Sequence, residues 1–455
     1  MTDRWLPELG QTTGPKYRAI ADAIAAAIDG GTLRHGDRLP AQREVATQLD
    51  VDLTTVTKAY DMARSRGQIE ARGRAGSFVL SRDVSPSNDA PAIDTAMNMP
   101  PEIDGRLLGQ AMITATVALL GAAATPSLHY QLSGGAPQAR AAGAILLTGL
   151  GIPTAAEQVI VTAGGQNALH AIVSATLSPG DVVACGRHVY PGFRALARRF
   201  GLRLAPLPAI DAEQLTIACR EHGVRALYVV PTNDNPTTMT VPGDERKALA
   251  EVAARHGVII IEDDAYGALA RNPVATFASH APETTWHIAS MSKLLSPALR
   301  VAFVRAPGVG HALRLAADVH ETAIMAPPLN AAMVGAWLAD GTFQRLLEAM
   351  RAEAEARQAV ARVALGKLEY FAHPQGYHLW LPLPEHIAAT DLAGRMSPSG
   401  LSIVPSHSFA VSDRDSGNAV RVSLGGPLKR ERLGSALRLL HGHITAPAER
   451  PAPMV

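Results

Sequence analysis

Cysteine is almost missing from this sequence: Cys185 and Cys219 are the only two in 455 residues. They are too few for a disulfide framework and neither stands in a CxxC pair, so a reducing compartment is expected. No apolar run is long enough to cross a bilayer, and Met1 opens no signal-peptide pattern. With 47% hydrophobic and 18% charged residues, the chain is expected to be soluble and cytoplasmic, with no membrane partner. The 16 histidines form no HExxH or comparable cluster, which leaves a metal without support. An excess of one charge sign is missing too: the formal balance is +1, and bulk charge argues neither for nor against nucleic acid.

What is present is length enough for two or three cores. In residues 1–81, Tyr17, Ile20, Ile24 and Ile28 recur at helical spacing, and Gly30-Gly31 closes that helix where a left-handed residue is expected. A second helix is predicted from about 41 to 49, with Val45 and Leu49 on one face. After a short turn a third follows the N-cap Asp52 through Val56, Ala59, Tyr60 and Ala63 to Gly67. Two strand-like runs, 68–71 and 77–80, flank Arg72-Gly73-Arg74-Ala75-Gly76 and predict a wing with a basic tip. From Lys58 to Arg74, the basic residues Lys58, Arg64, Arg66, Arg72 and Arg74 stand against Asp61 and Glu70, a local positive excess in a balanced chain.

From 82 to 95 the sequence RDVSPSNDAPAIDT lacks periodicity and is predicted to be a linker. Beyond it, short apolar β-type runs (QVIVT near 160, DVVAC near 183, ALYVV near 228, GVIIIE near 260, WHIAS near 288, VAFV near 303) alternate with helical pattern. Such alternation predicts an α/β unit over 96–446 around a mainly parallel sheet. One helical stretch is expected from about 331 to 368. The YHLWLPL and AVRVSL runs predict a smaller C-terminal α+β lobe, and 447–455 are expected to be a disordered tail.

A helix-turn-helix lays its second helix in the major groove, where it needs hydrogen bonders and positive charge on its outer face. Thr54, Thr55, Thr57 and Lys58 supply them. The segment from Tyr17 to Leu80, through GTLRHGDRLPAQREVATQLDVDLTTVTKAY and RGRAGSFV, resembles the GntR family of winged helix-turn-helix regulators. The resemblance implies that double-stranded operator DNA is met by Arg43, Thr54, Thr55 and Thr57, with Arg72, Arg74 and Gly76 at the minor groove or phosphates. Ala41 departs from the usual Ser, which puts one phosphate or capping contact in doubt.

The larger part carries a set of reactive groups at predicted strand ends. In SMSKLLSPALRVAF, Lys293 follows the WHIAS run, with Ser290, Ser292 and Arg300 able to hold one phosphate. In IIIEDDAYGAL a strand leads into Asp263, at the carboxyl edge where parallel sheets bind ligands, and Tyr266 follows. TAGGQNAL carries a strand into a helix whose first amides, at Gly165 and Gln166, face an anion. PTNDNPTT presents the Asn235 amide before a proline, and HVYPGF presents the ring of Tyr190. Pyridoxal 5'-phosphate needs these groups: an amine for a Schiff base, an anion at its ring nitrogen, donors to its phenolate oxygen and a cradle for its phosphate. A lone SxSK or DDxY is weak; five such elements in one order carry the reading.

Residues 97–440 resemble the fold type I aminotransferases, and their pairing with a GntR-like head resembles the MocR subfamily of regulators. The resemblance implies that Lys293 is the catalytic, Schiff-base lysine, that Asp263 meets the pyridine nitrogen, that Tyr266 and Asn235 meet the phenolate oxygen, and that Tyr190 stacks on the ring. It assigns the phosphate to Gly165, Gln166, Ser290, Ser292 and Arg300, with Tyr130 of LHYQLSGG reaching in from a partner subunit. Arg421 of AVRVSL would grip an amino acid's carboxylate in a bidentate fork. The family commonly has Gly where Thr238 and Ala298 stand, so the turn after Asn235 and the approach to Arg300 are in question. The implied function is a homodimeric regulator reading two half-sites and sensing an amino acid, an amine or the cofactor itself by exchange at Lys293. The alternative is an active aminotransferase with an accessory N-terminal domain.

Overall fold

In the computed structural model the described residues are 5–7, 14–30, 32–33, 36–66, 68–71, 76–79, 97–103, 105–122 and 126–446. They fall in two compact units, Met1–Ile93 and Asp94–Val455. The expected linker 82–95, the expected tail 447–455 and the wing residues Arg72 and Arg74 lie outside the described residues.

The first unit contains helices α1 (Lys16–Asp29), α2 (Gln42–Gln48) and α3 (Leu53–Ser65) and an antiparallel ribbon of β1 (Ile69–Ala71) and β2 (Ser77–Val79). The apolar spacing that predicts the helices is the spacing that buries them. Ile20 and Ile24 of α1, Val45 of α2, and Val56, Ala59, Tyr60 and Ala63 of α3 share one core with Ile69 and Val79. Asp52 caps α3, its Oδ1 accepting from the Thr54 amide at 2.7 Å and the Thr54 hydroxyl at 2.5 Å. Those bonds hold its carboxyl below the usual range. The Tyr60 hydroxyl donates to the Pro40 carbonyl at 2.8 Å, which satisfies the phenol inside the core. The first helix ends at Gly30, which with φ −81 and ψ −2 is still right-handed and bonds back to Ala26 at 2.8 Å; Gly31, the other residue of the expected stop, lies outside the described residues.

The second unit holds a seven-stranded sheet of β3 (Val159–Thr162), β4 (Val182–Gly186), β5 (Arg203–Leu207), β6 (Val224–Val229), β7 (Ile259–Asp263), β8 (Thr285–Ser290) and β9 (Ala302–Arg305), in the order β3-β9-β8-β7-β6-β4-β5. The pairings among β5, β4, β6, β7 and β8 are parallel; β9 is antiparallel to both β8 and β3. Helices cover these strands, so all but the edge strand β5 are almost wholly buried and mostly apolar, the interior exceptions being the exposed Arg225 of β6 and the buried Glu262 and His287, which pair with each other across β7 and β8. The reversal of β9 positions the site. Its first residue, Ala302, pairs with Ser290 at the end of β8 and with Thr162 at the end of β3, which brings Arg300 to the sheet edge where Asp263 and Ser290 already stand.

A second sheet, antiparallel, orders β10 (Phe371–Ala372), β11 (His378–Pro382), β12 (Ser402–Pro405) and β13 (Ala419–Ser423) as β10-β11-β13-β12. With helices Ala389–Met396 and Arg430–Thr445 it makes the smaller α+β part. The single helix expected over 331–368 is two, Pro328–Asp340 and Thr342–Leu365. Gly341 between them takes φ +77, a left-handed step that the apolar spacing on either side conceals.

Candidate functional site

At the carboxyl edge of the large sheet lies a cavity of about 110 Å³. Ten residues singled out in the sequence line it: Gly165, Gln166, Tyr190, Asn235, Asp263, Tyr266, Ser290, Ser292, Lys293 and Arg300. Arg421 stands just beyond, buried, its Nη1 donating to Asn235 Oδ1 at 3.3 Å and its guanidinium 5.3 Å from the centre of the Phe409 ring. Tyr130 is not among them and is 82% exposed.

One corner is built for an anion. β3 ends at Thr162, and Gly164 turns the chain with φ +85 into helix Gly165–Thr176, whose first amides are free of helical partners. The conformation calls for glycine, and a Cβ there would lie 2.7 Å from Arg300 Nη2 and displace the guanidinium. Arg300 itself has φ +48 and donates from Nη2 to the Ala163 carbonyl at 2.9 Å. Ser290 Oγ accepts from the Ser292 amide at 3.4 Å, while Ser292 Oγ is buried with no hydrogen-bond partner. Gln166 Nε2 donates to the Gly192 carbonyl at 3.2 Å.

The opposite part carries the amine and the carboxylate. Lys293 Nζ donates to the Asn98 carbonyl at 2.5 Å; withdrawal from water, with the Arg421 and Arg300 charges, lowers its pKa to about 8 against the pull of Asp263. Burial pushes the Asp263 carboxyl up to about 6, opposed by the Tyr228 hydroxyl, which donates to Oδ2 at 3.0 Å. Burial also raises the phenols of Tyr190 and Tyr266, so both keep their protons. Below them Asn98 Nδ2 reaches the Tyr266 hydroxyl at 3.0 Å and His378 Nδ1 at 3.2 Å, and Ser423 Oγ donates to Asn98 Oδ1 at 2.8 Å. Thr238 takes φ +63, a left-handed step that is strained for a β-branched residue and would be free of strain for glycine.

These groups fit pyridoxal 5'-phosphate on the chain's own terms. The orphaned Ser292 hydroxyl lacks an acceptor, Gly164 keeps the space beside Arg300 clear, and the amine and carboxylate are each destabilised as ions until a partner arrives. Four residues of the arrangement escape sequence reading. Gly164, the residue before a helix in TAGGQNAL, and Tyr228, the one hydroxyl in ALYVV, each carry a local signal. Asn98, which lies 195 residues from Lys293, and His378, on a strand of the other sheet, carry no local signal. Among the described residues no group of three or more metal-ligating side chains stands together, and no helix is long and apolar enough to cross a membrane.

On the first unit Arg43, Thr54 and Lys58 are exposed, and Thr55 and Thr57 are half-buried. Two hydroxyls are already engaged: Thr57 Oγ1 lies 3.0 Å from both Gln42 Oε1 and the Leu53 carbonyl, and Thr54 bonds to Asp52. A hydroxyl has one proton, so either must release its acceptor before it donates to a phosphate. Gly76 takes φ +108, and a Cβ there would lie 3.1 Å from Arg38 Nε.

Residues 105–438 match the family model for aminotransferase class I and II, and residues 16–79 match that for bacterial regulatory proteins of the gntR family. The uncharacterized HTH-type transcriptional regulator YdeF of Bacillus subtilis is 27% identical over 96% of each chain. The vitamin B6 salvage pathway transcriptional repressor PtsJ of Salmonella typhimurium is 28% identical over 90% of this chain and 95% of its own. Among solved structures, LysN of Thermus thermophilus, an alpha-aminoadipate aminotransferase complexed with N-(5'-phosphopyridoxyl)-L-leucine, superposes with a TM-score of 0.67 at 25% identity, over 77% of this chain and 91% of that one.

Proposed function

The chain belongs to the aminotransferase class I and II family with a gntR-type segment ahead of it, and from that premise we propose a transcription regulator that binds operator DNA through its first unit and holds pyridoxal 5'-phosphate at Lys293. The observation that carries this reading is the meeting of Lys293, Asp263 and Arg300 around one cavity. They occur in a chain whose other unit exposes Arg43 and Lys58 on α2 and α3. Bound there, the cofactor supplies an aldehyde that captures amines and a ring that withdraws electrons. Asp263 holds a proton at the ring nitrogen. Tyr266 and Asn235 donate toward the phenolate oxygen, and Tyr190 packs on the ring. Gly165, Gln166, Ser290, Ser292 and Arg300 hold the phosphate, and Arg421 takes the carboxylate of an amino acid.

The effector is an amino acid, an amine or the cofactor, acting through a difference in affinity between two arrangements of the protein. The relative named as a vitamin B6 salvage repressor supports the cofactor itself as one candidate. A homodimer, cytoplasmic, reading two half-sites completes the proposal. Its support is an apolar face: Ile113, Val117 and Ile145 are exposed on helices Gly105–Leu120 and Pro137–Gly149, and Ile145 also lines a cavity of about 760 Å³ whose lining is largely alanine. Tyr130 would serve the neighbouring cavity of such a dimer.

The deciding experiment titrates the full-length protein with pyridoxal phosphate and then with a panel of amino acids and amines, following cofactor absorbance and binding to its own upstream DNA. The reading expects a Lys293-dependent absorbance and DNA affinity that changes with one of these ligands. Many turnovers of amino acid to keto acid, with no specific DNA binding, would overturn it in favour of an enzyme with an accessory head.

A further inference from the structure

We propose that His378 and Asn98 are positioning residues that dictate which way the Tyr266 hydroxyl donates, sending its proton into the cavity. The proposal rests on the reading of that cavity as a pyridoxal-phosphate site.

Each bond in the chain is determined by the one before it. His378 on β11 is buried, and its Nε2 lies 3.0 Å from the Asp234 carbonyl oxygen. A carbonyl can only accept, so Nε2 carries the hydrogen. Burial keeps the ring neutral by lowering its pKa to about 3, which leaves Nδ1 with a lone pair. Asn98 Nδ2, 3.2 Å from that nitrogen, must then be the donor. The opposite orientation of the amide would set two acceptors face to face. With the amide fixed, Oδ1 receives the Ser423 hydroxyl at 2.8 Å, and the second Nδ2 hydrogen goes to the Tyr266 oxygen at 3.0 Å.

The Tyr266 oxygen is therefore an acceptor on the Asn98 side, and its own proton has to point elsewhere. Tyr266 lines the cavity, and its hydroxyl proton meets no acceptor among the described residues. Asn98, Tyr266, His378 and Ser423 are all nearly or fully buried, so water offers no competing partner. The other ionisable groups acting on the Tyr266 phenol are Asp263, Asp234 and Arg421, with the Tyr377 ring packed edge-on against it. A neutral histidine in one tautomer, in the smaller sheet, thus sets the direction of a hydrogen bond at the edge of the larger one. Its loss frees the Tyr266 proton to turn back toward Asn98.

The test uses full-length protein loaded with pyridoxal phosphate and reads the absorbance of the bound cofactor against pH, which reports donors at its phenolate oxygen. His378→Leu is expected to move the midpoint in the same direction as Tyr266→Phe, by about half a pH unit or more, and to add nothing in the Tyr266→Phe background. Asn98→Ala, which keeps the backbone carbonyl beneath Lys293, makes the same test should His378→Leu fail to fold. An unchanged midpoint in a variant that still takes up the cofactor overturns the proposal, as does a shift of equal size in the Tyr266→Phe background. Failure of the unsubstituted protein to bind the cofactor at Lys293 is a separate result, seen before any variant, and removes the cavity reading together with this one.

Discussion

The Tyr228 hydroxyl lies 3.0 Å from Asp263 Oδ2, so the carboxylate at the end of β7 is steadied by a phenol rather than by a cation. Burial moves its pKa to about 6, against the Tyr228 bond and the weaker pull of the Lys293 and His287 charges.

Asp263→Asn should stabilise the unloaded protein. An unfolded aspartate titrates near 3.9, so between about 4 and 6 the folded state holds the extra proton, and stability falls as pH rises through that window. At pH 7 the unloaded variant is expected to exceed the unloaded parent by about 3 kcal/mol, with the difference vanishing below about pH 4. Urea unfolding at the two pH values measures this. The same variant should bind pyridoxal phosphate at least tenfold more weakly, since the ring nitrogen loses its counter-charge.

The rate of cofactor uptake should rise with pH and level off above about 8. The neutral amine is the nucleophile, and half of Lys293 is neutral at that pH. Stopped-flow absorbance from pH 6 to 9 gives the profile, and Lys293→Ala should abolish the signal. A midpoint near that of an ordinary lysine would contradict the assigned environment.

Two adjacent glycines should answer differently to the same change. Gly164→Ala puts a Cβ against Arg300 and forces alanine to φ +85, an expected loss of about 1–2 kcal/mol or more together with weaker phosphate binding. At Gly165 a Cβ would sit 3.6 Å from Ser290 Oγ, an ordinary contact, so Gly165→Ala should leave the melting temperature nearly unchanged. Thermal unfolding with and without pyridoxal phosphate separates the two.

On the first unit, Lys58→Ala is expected to weaken DNA binding across sequences alike and to reduce the slope of log affinity against log salt by about 1, without altering specificity. Fluorescence anisotropy at several salt concentrations tests it. An unchanged slope would remove Lys58 from the interface.

Most of the cavity was legible because its groups lie where strands end, and strand ends are marked by a change of residue type: Ser290, Asp263 and Gly165 each follow an apolar run. The head was legible for a similar reason, since the positions buried in its core recur at helical spacing. What the residues could not reveal is long-range pairing. Asn98 meets Lys293, His378 and Ser423 across stretches with no shared pattern, and a hydrogen-bonding partner hundreds of residues away leaves no periodicity to detect. Gly341 was missed because apolar spacing continues through it while the backbone turns left-handed.

The backward run of β9 has a dynamic consequence. The chain leaves the sheet at Ser290 and returns at Ala302, where the two residues pair, and the Met291 amide bonds to the Val301 carbonyl at 3.0 Å just outside them. Lys293 and Arg300 are thus carried on a single clasped loop. Local opening of that clasp would release amine and guanidinium in one event, so the protein should lose its hold on both ends of the cofactor at the same moment, and the amides of 290–302 should exchange with deuterium as a single cooperative group.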